Sequence, residues 1–395
     1  MKDHSIATKL VHSGERQSAP VGLPVATPIY STATYTYSSM EEMDRAFAGE
    51  GGDFIYSRYG NPTVAALQNC MAAIENGKLA VAYGSGMAAI HAALIACDLQ
   101  TGSVVLASQD LYGASYDLLY KILGPLGIGT KLADFNDLEA LRSVVKEVKP
   151  RVLLAETISN PLLKICDVSA VAAIAHSAGA RLIVDNTFAS PYLCRPLDLD
   201  ADLVVHSATK YLGGHADAMG GVVISNEETD APALIGVLKL VGGVCSVWEA
   251  HHILRGIKTL ALRLDRQCEN ALKIAAKLSL NEKIAEVYYP TLSGVPELTA
   301  RVLREPFGGA LVTIRLKEDT QEAAFRFMDA LQLAVRGTSL GDIYTLVSHS
   351  ATSSHRELSP KRRAGLGITG GLVRISAGIE DFGDIIADIE AALSY

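Results

Sequence analysis

The chain has 395 residues and a formal net charge of -8, from 35 basic and 43 acidic residues. A chain of this length buries a core large enough to need neither disulfides nor a structural metal. The charges are interspersed, and no stripe of basic and aromatic residues predicts binding to nucleic acid. No apolar run is long enough for a signal peptide or a membrane span, so we expect a cytoplasmic protein.

The cysteines and histidines offer no framework for disulfides or metal. The six cysteines contain no C-x-x-C pair and lie in apolar stretches, which predicts buried free thiols. His251 and His252 lack the i, i+4 spacing that zinc sites on a helix favour. We therefore predict no metal site.

Residues 1–60 mix Gly, Pro, Ser, Thr and Tyr without a helical or strand period. This composition predicts an extended N-terminal arm rather than a packed unit. A partner subunit is the natural surface for such an arm, and the body of its own chain is the alternative.

Residues 61–250 alternate helix-like and strand-like segments, which is typical of an α/β domain with a doubly wound, mostly parallel sheet. Pro62 fits the first turn of a helix, and Val64 and Leu67 follow at helical spacing. Compact apolar runs predict buried strands at Val104–Leu106, Val152–Ala155, Leu182–Val184, Leu203–Val205 and Val222–Ile224.

Residues 251–395 predict a smaller C-terminal α+β domain. Leu and Ile recur at helical intervals over 249–279, which predicts one long helix that begins at the boundary. The remaining predicted elements are strands at Ala310–Leu316, Thr345–Ser348 and Leu372–Ser376, and helices at Thr320–Leu333 and from Asp381 onward.

The strongest local signal is Lys210, at the end of the segment Leu203-Val-Val-His-Ser-Ala-Thr-Lys210. A buried strand followed by hydroxyl residues brings this lysine to the carboxyl end of the sheet, where open α/β folds bind ligands. A partly desolvated amine there can form a Schiff base with a carbonyl, while Ser207 and Thr209 donate hydrogen bonds to a phosphate. A lysine that only leads the chain from the strand to solvent is the alternative.

Asp185 ends another predicted strand, in Arg181-Leu-Ile-Val-Asp185. A carboxylate at that depth is costly unless a cation meets it, and a protonated pyridine nitrogen is such a cation. An aspartate that caps the following turn is the alternative.

A glycine-rich turn, Tyr83-Gly-Ser-Gly-Met87, opens a predicted helix. The main-chain N–H groups of Gly86 and Met87 can bind a phosphate at the helix N-terminus. Ala89 breaks the dinucleotide-binding spacing, and we expect no strand before the turn. A turn that serves packing alone is the alternative.

Tyr112, Glu156 and Asn160 follow two more of the predicted strands. An aromatic ring at such a position can stack on a planar ligand. Because the carboxyl ends of parallel strands share one edge of a sheet, we expect these residues to converge with Lys210 and Asp185 on one site.

These motifs, with Tyr56-Ser-Arg58-Tyr-Gly-Asn-Pro-Thr63, Ser339-Leu-Gly-Asp342 and Gly371-Leu-Val-Arg374, closely resemble the Cys/Met-metabolism family of fold-type I pyridoxal-phosphate enzymes. The resemblance covers essentially the whole chain. It implies the fold-type I transferase fold and pyridoxal 5'-phosphate as the cofactor. It also implies a homotetramer built from dimers that share active sites.

The resemblance assigns roles around the cofactor. Lys210 would carry the cofactor and move protons, Asp185 would pair with the pyridine nitrogen, and Tyr112 would stack on the ring and protonate the leaving group. Tyr56 and Arg58 would reach in from the neighbouring subunit, to the phosphate and beside Tyr112. The other residues expected at the cofactor are Gly86, Met87, Asn160, Ser207 and Thr209.

The implied substrate is an amino acid whose α-carboxylate binds Arg374 and Ser339. The implied reaction is elimination of the γ-substituent, as in methionine γ-lyases and cystathionine γ-lyases. Replacement of that substituent, as in cystathionine γ-synthases and O-acylhomoserine sulfhydrylases, is the nearest alternative. A non-catalytic cofactor-binding protein is a more distant alternative, because such a protein would not need the carboxylate clamp.

Two positions depart from the family pattern. Cystathionine-processing relatives tend to carry arginine where this chain has Asp117, and a carboxylate there would attract a neutral or basic γ-substituent such as the guanidino-oxy group of canavanine. The alternative is that Asp117 faces solvent or pairs with a nearby basic residue. Ala114 replaces the cysteine typical of methionine γ-lyases, which weakens the case for methionine as the preferred substrate.

Overall fold

The computed structural model describes residues 22–50 and 54–395. The predicted N-terminal arm therefore lies partly outside the described residues. Within residues 22–50 and 54–60, the regular structure is one helix, Met40–Phe47, and a bridge that pairs Thr34 with Tyr56. The boundary of the arm near residue 60 and the boundary near residue 250 stay predictions.

A seven-stranded sheet carries the polar strand ends that the sequence analysis identified. Its strands are β1 (Leu79–Tyr83), β2 (Val104–Ser108), β3 (Gly129–Ala133), β4 (Val152–Glu156), β5 (Arg181–Asp185), β6 (Leu203–Ser207) and β7 (Gly221–Ser225). They lie in the order β1-β7-β6-β5-β4-β2-β3. Strand β7 runs antiparallel to both of its neighbours, β1 and β6, and the other described pairs in this sheet are parallel, so the prediction of a mostly parallel sheet is confirmed.

Helices cover both faces of this sheet, because successive residues of a strand point to opposite faces and both sets are apolar. Leu182 and Val184 pack into one core layer, and Ile183 between them packs into the other. The helices are Pro62–Ile74, Gly86–Ala96, Gly113–Asp117, Leu138–Val148, Val168–Ser177, Ser190–Leu193, Ala231–Val241 and Val247–Ile257. Shorter helical turns are Leu118–Leu123, Gly124–Leu126, Pro196–Leu199 and Glu228–Asp230.

A second, five-stranded sheet lies in the C-terminal part of the chain. Its strands are β8 (Ile284–Tyr288), β9 (Leu311–Leu316), β10 (Val335–Arg336), β11 (Leu346–His349) and β12 (Leu372–Ser376), in the order β10-β11-β12-β9-β8. The helices and turns are Leu260–Leu278, Pro290–Ser293, Pro296–Val302, Gln321–Ala330, Ser350–Thr352, Pro360–Gly365 and Phe382–Leu393. None of the described helices combines the length and hydrophobicity of a membrane span.

The expectation that no strand precedes the glycine-rich turn is wrong. Strand β1 leads directly into it and pairs antiparallel with β7 from Leu79 opposite Ser225 to Tyr83 opposite Gly221. Two of its five residues are alanines, which have low strand propensity, so the pairing with β7 determines the conformation. The turn therefore does connect a strand to a helix, although its glycine spacing is not that of a dinucleotide site.

The single helix expected over 249–279 is also wrong, because the chain forms two helices with a break at Lys258 and Thr259. The first helix ends where Gly256 packs against the loop that follows Lys210: a Cβ at Gly256 would lie 2.1 Å from the carbonyl oxygen of Gly213. Arg263, in the second helix, donates hydrogen bonds to the carbonyl oxygens of Tyr211 and Gly256, both at 2.8 Å. The break thus brings both helices against the lysine loop.

Candidate active site

A cavity of about 510 Å³ opens at the carboxyl ends of β2, β4, β5 and β6, where the sequence analysis placed a ligand site. Its walls come from both sheets. The predicted site residues that line it are Gly86, Met87, Tyr112, Asn160, Asp185, Ser207, Thr209, Lys210, Ser339 and Arg374.

One end of the cavity is formed by the N-terminus of helix Gly86–Ala96. Ser85 caps this helix by accepting the N–H of Ala88 at 3.1 Å, while the N–H groups of Gly86 and Met87 have no partner inside the helix. Gly86 lies so close to β6 that a Cβ there would be 2.8 Å from the Cβ of Ser207. Helix N–H groups and the hydroxyl of Ser207 thus face one small space that suits a phosphate group.

Asp185 lies at the floor of the cavity. Its Oδ1 accepts hydrogen bonds from the main-chain N–H of Thr187 at 3.0 Å and from the Thr187 hydroxyl at 2.5 Å. No basic side chain of the described residues forms an ion pair with Asp185, and burial raises the pKa of its carboxyl group. A carboxylate in this state is stabilised by a cationic partner inside the cavity, such as a protonated ring nitrogen.

Lys210 follows β6 and points into the same cavity. Its Nζ donates a hydrogen bond to the Ser339 Oγ at 3.0 Å. Burial, and then the nearby charge of Arg374, lowers the pKa of the Lys210 amine. A larger fraction of the amine is therefore neutral and nucleophilic near neutral pH than for an exposed lysine.

Arg374 comes from β12 in the second sheet and reaches the opposite wall. Its Nη1 donates to Asn160 Oδ1 at 2.9 Å and its Nη2 to the Ser339 carbonyl oxygen at 3.2 Å. Its Nε is buried and has no acceptor among the described residues. Burial lowers the pKa of the guanidinium to about 10, so it remains cationic at neutral pH and can hold a carboxylate.

Glu156 has a contact that the sequence analysis did not predict. It accepts the main-chain N–H of Tyr112 at 2.6 Å and lines the cavity between Tyr112 and Asp185. Ser353 and Ser354 line the opposite wall and had no sequence signal, because they lie in an irregular segment far along the chain.

A buried polar cluster lies behind the strand ends. His206 Nε2 and Glu75 Oε1 are 2.5 Å apart, and the Asn186 amide donates to the same Glu75 oxygen at 3.1 Å. Thr157 donates to Asn186 Oδ1 at 2.7 Å. Each of these strand-end residues adjoins a cavity residue, namely Ser207, Asp185 or Glu156, so the cluster fixes the strand ends relative to one another.

Three predicted site residues do not line this cavity. Tyr56 and Arg58 line a separate cavity of about 280 Å³ beside residues 244–247, and Arg58 Nη1 donates to the Lys239 carbonyl oxygen. Asp117 pairs with the Lys121 amine at 2.9 Å. Within one chain, these three residues are therefore separated from the residues that converge on Lys210.

The chemistry of the cavity fits pyridoxal phosphate. The helix N-terminus suits its phosphate, and the buried Lys210 amine suits its aldehyde. Asp185, which forms no ion pair with a basic side chain in the described part of the chain, suits its protonated ring nitrogen. Tyr112 adds an aromatic ring at the cavity wall.

Comparisons with known proteins agree with this geometry. The family model described as "Cys/Met metabolism PLP-dependent enzyme" matches residues 7–394. An L-methionine gamma-lyase of Pseudomonas putida is 40% identical over 388 residues, covering 98% of this chain and 96% of that protein. A cystathionine beta-lyase of Coxiella burnetii is 37% identical over 394 residues, covering 99% of this chain and 98% of that protein.

The similarity extends to solved structures. The crystal structure of cystathionine gamma synthase from Xanthomonas oryzae pv. oryzae in complex with cystathionine has a TM-score of 0.87 and 34% sequence identity. The match covers 94% of this chain and 93% of that one. The resemblance inferred from the motifs is confirmed, and the chain belongs to the Cys/Met-metabolism family of pyridoxal-phosphate-dependent enzymes.

Proposed function

We propose that this enzyme is a lyase that eliminates the γ-substituent of an L-amino acid and releases a 2-oxo acid and ammonia. The observation that carries the proposal is the meeting of Lys210 and Arg374 at Ser339, which puts an amine of lowered pKa beside a carboxylate-binding group. The similarity to the Pseudomonas putida L-methionine gamma-lyase supports it.

The cofactor would be held by Asp185 at its ring nitrogen and by Gly86, Met87, Ser207 and Thr209 at its phosphate. When bound, pyridoxal phosphate supplies an electron sink for negative charge that develops next to the substrate's amino group. This chemistry makes the hydrogens on the α- and β-carbons of the substrate acidic enough for a protein base to remove.

Arg374 orients the substrate by its α-carboxylate. The buried Nε supplies a donor that has no acceptor in residues 22–50 and 54–395, and the planar guanidinium favours a two-point grip. Ser339 contacts both Arg374 and Lys210, so a substrate held at Arg374 has its α-carbon on the side of the lysine amine. The Nζ of Lys210, whose pKa is lowered by burial, then accepts a proton from the substrate's α-carbon and returns it elsewhere.

Tyr112 is the proposed acid for the departing γ-group. Its main chain is anchored by Glu156, and its side chain is 41% exposed at the cavity wall. A hydroxyl at the edge of the cavity can donate a proton to a leaving group that must then diffuse out. For methionine, water is consumed and the products are methanethiol, 2-oxobutyrate and ammonia.

The active site is proposed to be completed by a second copy of the chain, in a homotetramer built as a dimer of dimers. Tyr56 and Arg58 lie apart from the cavity of their own chain, and Tyr56 is 39% exposed. In a symmetric dimer the same surface of each chain faces the other, so each chain can supply these residues to its partner's cavity.

Subunit mixing tests the shared site. Lys210→Ala and Arg58→Ala chains, each inactive or impaired alone, are co-expressed with different affinity tags. Half of randomly formed dimers are then hybrids with one intact site, so about a quarter of wild-type activity should return. Absence of any recovery in purified hybrids would show that Arg58 acts within its own chain.

The leaving group is a finer question. A thioether is the proposed substituent, because the Pseudomonas putida relative is an L-methionine gamma-lyase, although Ala114 weakens the case for methionine itself. Canavanine, expected if Asp117 faces the substrate, is a second candidate. The observed pairing of Asp117 with Lys121 supports the alternative, in which this carboxylate does not select the substituent.

Product analysis tests the reaction. The purified enzyme is incubated with methionine, homocysteine, cystathionine, canavanine, or O-acetylhomoserine with cysteine. We expect 2-oxobutyrate from the sulfur amino acids. Pyruvate and homocysteine from cystathionine would instead indicate β-elimination, as the name of the Coxiella burnetii relative suggests, and cystathionine from O-acetylhomoserine with cysteine would indicate γ-replacement. Homoserine and hydroxyguanidine would mark cleavage of canavanine.

A further inference from the structure

Two carboxyl groups lie side by side at the floor of the cavity. Glu156 ends β4 and Asp185 ends β5, and the two residues are direct partners in the register of the parallel pair. Both line the cavity and both are closely surrounded by protein atoms. Two full negative charges on these adjacent strand ends would repel each other strongly, because little water is present to screen them.

The surroundings of the two carboxyl groups differ. Asp185 accepts two hydrogen bonds from Thr187, and the charge of His206 on β6 further favours its ionised form. Glu156 has no ion pair with a basic side chain of the described residues. The third acidic group nearby, Asp110, has its own partner in Lys164, whose Nζ lies 3.0 Å away.

The surroundings of Glu156 therefore favour its protonated form. Burial is the first cause that raises the pKa of Glu156 well above its ordinary value, and the charge of Asp185 is the second. Hydrogen bonds from the main-chain N–H groups of Tyr112 and Asn160 oppose this shift without reversing it. The pKa of Asp185 is raised by burial as well, but Thr187 and His206 offset part of that effect.

The contacts of Glu156 join two walls of the site. Its Oε1 accepts the Tyr112 N–H at 2.6 Å from the loop after β2, and its carboxyl group also accepts the Asn160 N–H from the loop after β4. Asn160 in turn accepts a hydrogen bond from Arg374. A change at Glu156 should thus reach both the proposed acid, Tyr112, and the proposed carboxylate clamp.

We infer that Glu156 is a positioning residue that works as a neutral carboxylic acid, holding Tyr112 and Asn160 in place while the single negative charge of the pair stays on Asp185. The inference rests on the proposed function, because Asp185 must remain ionised to hold a protonated ring nitrogen. A neutral acid accepts main-chain N–H groups through its carbonyl oxygen as a carboxylate does, and it adds no competing charge.

Paired variants at residue 156 test the inference. Glu156→Gln keeps a neutral carbonyl acceptor of the same length, and Glu156→Met keeps the size but removes the acceptor. We expect Glu156→Met to lower kcat/KM by about 50-fold, through displacement of Tyr112 and Asn160, and Glu156→Gln to recover most of that loss. Asp185→Asn is the matched control, and it should weaken cofactor binding strongly.

Infrared spectroscopy supplies a readout that does not depend on turnover. The difference spectrum between wild-type protein and Glu156→Gln should contain the C=O stretching band of a protonated carboxylic acid, with and without cofactor. The same band should appear when Asp185→Asn is compared with the double variant Asp185→Asn and Glu156→Gln, because burial is the first cause that raises the pKa of Glu156.

A missing band, or equal losses in Glu156→Gln and Glu156→Met, would overturn the inference. The infrared result is interpretable even if Glu156→Met fails to fold, since it compares wild-type protein with the conservative variant. Wild-type protein that eliminates no γ-substituent but shows the band would instead contradict the proposed reaction and leave the state of Glu156 established.

Discussion

The strand ends of the large sheet and the segment 54–60 both carry residues that the sequence assigns to one site, but they reach it differently. Asp185, Lys210 and Glu156 are held by contacts inside the chain, at distances of 2.5–3.0 Å. Tyr56 and Arg58 lie against residues near 239–247 and away from that cavity. One chain therefore brings together the residues that converge on Lys210, and we propose that a second copy of the chain supplies Tyr56 and Arg58.

Removal of the Lys210 amine should lower activity more than any other change. Lys210→Ala loses the amine that we propose both attaches the cofactor and carries protons, so kcat should fall by at least about 1000-fold. Lys121→Ala, an exposed lysine on the helical turn Leu118–Leu123, is the control and should keep wild-type activity. Near-normal turnover by Lys210→Ala would refute the central assignment.

The carboxylate clamp should give the next largest effect. Arg374→Lys keeps the positive charge but loses the planar pair of donors, so KM should rise about 100-fold with a smaller change in kcat. Steady-state kinetics with the best substrate measures the split. An equal fall of kcat with unchanged KM would mean that Arg374 acts on the reacting atoms and not on substrate binding.

Arg58→Ala tests the contribution proposed to come from a second chain. It should lower kcat/KM by about tenfold, less than the changes above, since other groups are also proposed to hold the phosphate. The apparent dissociation constant of the cofactor should rise in parallel. Arg45→Ala, on the nearby helix Met40–Phe47, is the control for loss of a surface arginine. If both variants behaved alike, Arg58 would have no special role.

The pH dependence of cofactor attachment tests whether the pKa of the Lys210 amine is lowered. The lowered pKa of its amine means that the neutral, reactive form persists to lower pH than in an exposed lysine, and attachment should slow only as the pH falls through that lowered value. Arg374→Gln removes one of the two lowering causes, while burial remains and Asp342 still opposes it. The rate profile of the apoprotein, followed by absorbance, should therefore move to higher pH.

Asp117→Ala should have the smallest effect. Its carboxylate forms an exposed pair with Lys121 and does not line the cavity, so the ratio of kcat/KM for canavanine and cystathionine should change by less than about twofold. A large shift toward cystathionine would show that Asp117 faces the substrate in the assembled enzyme.

Much of the site was predictable because apolar runs ending in polar residues mark the carboxyl ends of buried strands. Asp185 and Lys210 follow such runs, and the structure brings both to the cavity. Strand β1 was not predicted because its alanines are typical of helices. Strand β3 was not predicted because it lies at the edge of the sheet and mixes polar and apolar residues that are partly exposed. In both cases pairing with a neighbouring strand, which no local pattern reveals, decides the conformation.

The contacts of Glu156 could not be predicted from the sequence for a different reason. Its position after a strand was visible in the sequence, but its register beside Asp185 depends on how β4 and β5 align. The same holds for Glu75 and His206, which are 131 residues apart in sequence and meet behind the sheet. Long-range pairing of buried polar groups has no periodic signature, so these contacts emerged only from the folded chain.

The hydrogen bond between Arg374 and Asn160 crosses from one sheet to the other. The first sheet supplies the reactive amine and the groups that fit the coenzyme, while residues 338–340, 353–354 and 374 supply the wall that faces them. Substitutions at wall residues other than Ser339 and Arg374, such as Thr338 and Leu340, can therefore change the shape of the cavity without removing a contact to Lys210. Lys210 and Asp185 would stay in place, which offers a physical route by which related enzymes come to act on different amino acids.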